Sequence, residues 1–114
     1  MTGAGAREAA VAFAEAFCAG ELDRLEAMLH PDLRLRGPLF AFDSRAAYLQ
    51  SLRDQPVEPG PCTLLRVHGD GEEAAVLYEY GKPGSPVLVA QFLRLADGLI
   101  VEIRLVFDTA GLGR

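Results

Sequence analysis

The stretch that most constrains this chain is Val87 to Asp108, two alternating apolar runs hinged on Asp97-Gly98. β-branched and aromatic residues on both sides of an Asp-Gly pair predict a hairpin, because that dipeptide accepts the left-handed backbone a tight turn between strands requires. Period-two alternation places Val89, Leu93, Leu95, Val101, Ile103, Leu105 and Phe107 on one face. One uncharged polar residue, Gln91, shares that face. A buried amide needs a partner or a ligand, since leaving its hydrogen bonds unmade costs free energy. The opposite face carries Ala90, Phe92, Arg94, Ile100, Glu102, Arg104 and Val106, with too much apolar area to stand fully in water.

Upstream, the hydrophobic period is helical. Ala6, Ala9, Ala10, Phe13, Ala16 and Phe17 form the stripe of a helix over 6–19, widened by Val11, Ala14 and Cys18 and stopped by Gly20. A short second helix is expected over Glu21–Leu29, with Leu22, Leu25, Met28 and Leu29 inward and His30-Pro31 as its stop. Leu33–Arg36 alternates as a short strand that Pro38 keeps from continuing. Asp43 or Ser44 caps a third helix over Arg45–Arg53, with Tyr48, Leu49 and Leu52 on its apolar side. Three prolines make Gln55–Pro61 a rigid loop. Beyond it the period changes to two: Thr63–His68 and Glu73–Tyr80 precede the final hairpin. Helices first and a strand meander afterwards predict an α+β fold.

The 114 residues suit one compact domain spanning 1–114, and half of them are hydrophobic, as in globular chains. A net charge of -5 with scattered basic residues argues against nucleic acid as a partner. No apolar run approaches the roughly 20 residues of a membrane span, and the amino end shows no export signal, so no membrane partner and a cytoplasmic location are expected. Cys18 and Cys62 match no zinc or redox spacing and are expected as two buried free thiols.

Three segments carry a resemblance. Ala16-Phe17-Cys18-Ala19-Gly20-Glu21-Leu22-Asp23 is similar to a helix junction written N-A-G-D-x-D. Leu29-His30-Pro31-Asp32 is similar to the segment L-H-P-D ahead of a first strand. Phe92 to Arg104, followed by Phe107-Asp108, is similar to an ending written F-x-F-x-D-G-K-I-x-E. In this order they resemble the NTF2-like superfamily and its SnoaL-like proteins. The resemblance implies a cone in which three N-terminal helices pack on a curved, mainly antiparallel sheet and leave a pocket. Its lining is expected from Phe13, Phe17, Leu35, Tyr48, Tyr78, Val89, Gln91, Leu93, Ile103, Leu105 and Phe107, residues that a filled core would use equally well. Leu33, Val76 and Tyr80 share the inward strand faces. Pairing through the convex face is common in that superfamily. It implies a homodimer across Phe92, Ile100, Glu102, Arg104 and Val106.

The catalytic sets of that superfamily do not map onto this chain. The tyrosine, aspartate base and protonated aspartate of ketosteroid isomerases would fall at Phe13, Gly37 and Gln91, which cannot abstract a proton or build that oxyanion hole. The Arg-x-Asp pair of the epoxide hydrolases is absent. At the acid position of polyketide cyclases an amide can donate a hydrogen bond but cannot donate a proton for catalysis. His30 is expected at a helix C-terminus, His68 outward, and Asp108 outside the pocket; no metal or cofactor site is readable. The leading expectation is a protein that binds a small apolar ligand, with Gln91 as its main polar contact. The alternatives are an enzyme of isomerase, cyclase or hydrolase type on a lipophilic carbonyl or polyketide-like substrate, with His30 or Asp108 relaying a proton, and a non-catalytic dimerisation module.

Overall fold

A computed structural model describes residues 5–56, 58–81 and 86–107 of the chain. Helix α1 (Ala6–Ala19) ends where Gly20 adopts a left-handed φ of 72°. The N–H groups of Gly20 and Glu21 return to the carbonyls of Phe17 and Ala16, which closes the helix and reverses the chain. Helix α2 (Leu22–Met28) follows, then strands β1 (Leu29–Arg36) and β2 (Ala41–Phe42), helix α3 (Arg45–Asp54) and strands β3 (Cys62–Asp70), β4 (Glu73–Tyr80), β5 (Val87–Ala96) and β6 (Leu99–Phe107). Ser44 caps α3 by accepting the Ala47 N–H at 3.0 Å.

The six strands form one mixed sheet in the order β2-β1-β6-β5-β4-β3. The β5–β6 turn is the expected one, Asp97 and Gly98 both having positive φ, 54° and 78°. Pairing is antiparallel throughout except that β1 runs parallel to β6. Irregularities of register at Leu64/Arg66 in β3 and Arg94/Leu95 in β5 bend the sheet. Helix α1 lies across β3, β4 and β5, and α3 packs on β1. Phe13, Leu25, Leu33, Leu35, Ile100 and Ile103 are fully buried between these layers.

Four expectations are corrected. Parallel pairing of Leu29 with Ile100 draws the chain into β1 four residues sooner than expected, so His30 sits in a strand and not on a helix end. Strand β2, invisible to alternation at two residues, is held by β1 and by the Arg36 guanidinium, which donates to the Phe42 carbonyl and to Asp43 Oδ1. Leu95 pairs with Ile100 while Arg94 pairs with Glu102, leaving Val101 as the extra residue of a bulge. The inward parity therefore passes from Val101 to Ile100, which is buried and leaves the outer face. Finally, Cys18 and Cys62 are not free thiols but a disulfide, with Cα atoms 6.1 Å apart. Helix α1 and the start of β3 meet across 44 residues of chain, a proximity that spacing cannot reveal.

Candidate functional site

One end of the concave sheet face is left open. A cavity of about 390 Å³ lies there between α1, α3, the loop linking β1 to β2, and strands β4 to β6. Its walls are mainly aromatic. Phe13 and Phe17, one turn apart on α1, stack at 6.5 Å, and Phe17 meets Tyr80 of β4 edge-on at 6.4 Å. Phe40, carried on the β1–β2 loop, lies 6.2 Å from Phe107 of β6. Val89 and Leu105 supply the aliphatic floor.

The polar groups inside are few. Gln91 is fully buried on β5, between Val76 of β4 and Leu105 of β6. Its Oε1 accepts from the Tyr78 hydroxyl at a long 3.5 Å, while its Nε2 finds no hydrogen-bond partner among the described residues. Burial pushes the Tyr48 hydroxyl far above the ordinary phenol range, with Tyr78 adding to the effect, and burial does the same to Tyr78. Both phenols stay protonated at neutral pH. The cavity thus offers neutral donors in an apolar enclosure. Glu58, the single carboxylate in its lining among the described residues, is exposed at the rim. There its carbonyl accepts from the Tyr80 hydroxyl.

Of the residues expected in a pocket, Phe13, Phe17, Tyr48, Tyr78, Val89, Gln91, Leu105 and Phe107 line this cavity. Leu35, Leu93 and Ile103 do not; they are packed into the filled part of the core. Phe40, Glu58, Tyr80 and Val87 complete the lining. Val87 shares strand parity with Val89 and Gln91, so alternation extended by one step would have found it. Phe40 and Glu58 stand on loops, where no periodicity points anywhere.

Two of the positions to which the resemblance attached catalysis, Gly37 and Phe13, hold no side chain that can move a proton. A side chain at Gly37 would begin 2.8 Å from the Phe40 ring, so an aromatic group fills the place where a base would project. Phe13 is buried and apolar. His30 does not line the cavity: its Nδ1 accepts the Asp32 N–H at 3.0 Å, and its Nε2 lies 4.0 Å from Asp97. His68 is exposed. The proton relay through His30 is thereby removed, and Asp108 lies outside the described residues. Among the described residues no group of three or more His, Cys, Asp or Glu side chains could hold a metal ion, and no helix is long and apolar enough to cross a membrane.

The outer face presents Leu88, Phe92 and Val106, each about half exposed. Arg94 donates to Glu102 at 3.1 Å beside them. An open groove of about 470 Å³ there is bordered by His68, Phe92, Arg94, Glu102 and Arg104. Among the described residues it holds no unsatisfied buried side-chain donor, and the concave cavity does.

No curated protein matches the chain in sequence. Solved structures match its fold. An NTF2-like protein of unknown function from Cytophaga hutchinsonii superposes with a TM-score of 0.79 at 15% identity, covering 99% of this chain and 98% of that one. An epoxide hydrolase of M. tuberculosis gives 0.75 at 23%, covering 91% and 83%. A de novo designed protein with a curved β-sheet gives 0.75 at 21%, covering 90% and 84%. One fold shared by an enzyme and a design carries no reaction by itself. A family model described as the SnoaL-like domain matches residues 10–103, nearly the whole α+β unit just described, and the chain belongs to that family.

Proposed function

We propose that this protein binds a small, largely apolar molecule bearing one hydrogen-bond-accepting oxygen, held in the concave cavity with its oxygen toward Gln91. The observation that carries this reading is the unpartnered Gln91 Nε2 at the floor of an aromatic enclosure. A buried amide donor left unpaired costs about 1–3 kcal/mol, and a ligand oxygen would relieve that cost. Tyr48, held protonated by burial, is a further donor and not a base, while Tyr78 already donates its hydroxyl hydrogen bond to Gln91 Oε1. The enzyme alternative needs a group that moves a proton, and among the described residues the lining supplies only Glu58 at the rim. The alternative of a module whose cone is filled by its own side chains conflicts with the open volume.

The same reading includes a homodimer through the outer face. Phe92 and Val106 supply its apolar centre, and Glu102 and Arg104 its charges. Ile100 takes no part, being buried inside the protomer. The same reading includes a cytoplasmic location. There the Cys18–Cys62 bond has a ready reading, because disulfides that form in reducing compartments are usually transient and redox-sensing.

The test uses two neutral fluorophores: prodan, a naphthyl ketone, and phenylnaphthylamine, which has no oxygen. Both are expected to bind. Gln91→Leu should weaken prodan about tenfold, the equivalent of one hydrogen bond of roughly 1.4 kcal/mol, and leave phenylnaphthylamine unchanged. Failure of both probes to bind the folded protein would overturn the pocket reading. Equal weakening of both probes would remove Gln91 from its assigned role.

A further inference from the structure

The disulfide stands at the mouth of the cavity. Cys18 follows Phe17 directly on α1, and Cys62 pairs across the sheet with Tyr80, so the bond joins the two backbone segments whose rings form one wall. The rim between them is the proline loop that carries Glu58. Pro56, Pro59 and Pro61 have no N–H to donate, so few bonds can hold this loop. Among the described residues, those present reach Cys18 and the neighbours of Cys62. Gly60 N–H donates to the Cys18 carbonyl at 3.0 Å, Gly81 N–H donates to the Pro61 carbonyl at 2.8 Å, and the Tyr80 hydroxyl donates to the Glu58 carbonyl. Packing is close as well: a Cβ on Gly60 would meet the Gly81 carbonyl oxygen at 2.8 Å.

We propose that the Cys18–Cys62 bond is a redox latch on the cavity mouth, holding the Glu58 rim against Phe17 and Tyr80 when oxidised and releasing it, with faster ligand exchange, when reduced. The proposal rests on the reading that the cavity binds a ligand. The reductant is a dithiol. Cys18 is buried and Cys62 partly accessible, so a reductant thiolate attacks Cys62 Sγ. The Sγ–Sγ bond breaks, its electron pair leaves on Cys18 Sγ, and that sulfur takes up a proton. The second thiol of the reductant then resolves the mixed disulfide. Cys62 is released as a thiol and the reductant becomes its own disulfide, two electrons having passed to the protein. A disulfide of the same class reverses the sequence.

The experiment compares full-length protein in oxidised and dithiothreitol-reduced forms, with the thiol state fixed by intact mass. It follows prodan release by stopped flow and Gly60 amide exchange by hydrogen exchange. Reduction should speed prodan release several-fold and Gly60 exchange at least tenfold, with circular dichroism unchanged. The Cys18→Ser/Cys62→Ser variant should behave as the reduced form under both conditions. Should that variant fail to fold, reduction of the wild-type chain decides alone. Free thiols persisting under oxidant, unchanged Gly60 exchange, or a global loss of helix on reduction would each overturn the latch. Faster Gly60 exchange without prodan binding to either form would overturn the pocket reading, and ligand gating with it, leaving only a redox-sensitive rim, whereas bound prodan with equal release rates would overturn the latch and keep the pocket.

Discussion

The two ends of the concave face are made by the same strands and end differently. Toward the β5–β6 turn, Leu93, Leu95, Ile100 and Ile103 meet Leu25, Leu29, Leu33 and Leu35 in a filled core. Toward the opposite end, Val89, Gln91, Leu105 and Phe107 face a cavity. Their alternation is indistinguishable in sequence. The difference lies in what stands opposite each end, since helices and β1 bring aliphatic side chains to one end and large rings with gaps between them to the other. Core and pocket are thus two outcomes of one strand pattern.

The strongest way to break this contrast is to empty the filled end. Leu35→Ala should cost about 2–5 kcal/mol, the usual cost of a cavity in a packed core, measured as a lowered urea midpoint. Leu105→Ala should cost clearly less, since Leu105 already borders open volume. Equal losses at the two positions would show that the open end collapses in solution.

The next effect is smaller and can take either sign. Gln91→Leu should leave stability within about 1 kcal/mol of wild type, because it removes a buried donor that has no partner but also the acceptor of the long Tyr78 hydroxyl bond. A large loss of stability would mean the amide is satisfied within the protein.

Alkaline pH gives a third handle. Tyr48 and Tyr78 have phenol pKa values raised by burial, so between the unfolded value of about 10 and the folded ones the native state binds more protons. Their contribution is complete below about pH 10 and declines as pH rises beyond it. Tyr48→Phe should make the fall with pH shallower, as read from urea midpoints across that range. An unchanged slope would place the titration elsewhere.

The smallest effect on folding should come from the outer face. Phe92 is half exposed, so Phe92→Glu should change protomer stability little while splitting the expected dimer in sedimentation velocity. Wild type sedimenting as a monomer would remove that assembly.

Much of the fold was legible because the signals are local. Gly20 and Ser44 bound helices by backbone geometry and a side-chain cap, and Asp97-Gly98 fixes a turn. The errors share one cause. His30 entered a strand because β6 lies beside it, and Ile100 replaced Val101 on the inner face because a bulge absorbed one residue. The cysteines joined because α1 and β3 cross. None of these leaves a mark on the residues' own neighbourhood in the chain. The site divides similarly: Gln91 stood out as the one polar residue on an apolar strand face, whereas Phe40 and Glu58 reach the cavity from loops.

The sequence by itself determined the helices, the meander, the tight turns and the identity of the inward amide, because periodicity, caps and turn residues act over a few positions. Only the tertiary structure decided which inward residues became core and which became wall, that Gln91 Nε2 has no partner, and that Cys18 meets Cys62. Those outcomes depend on which distant surfaces are brought face to face, and on whether the volume between them is filled.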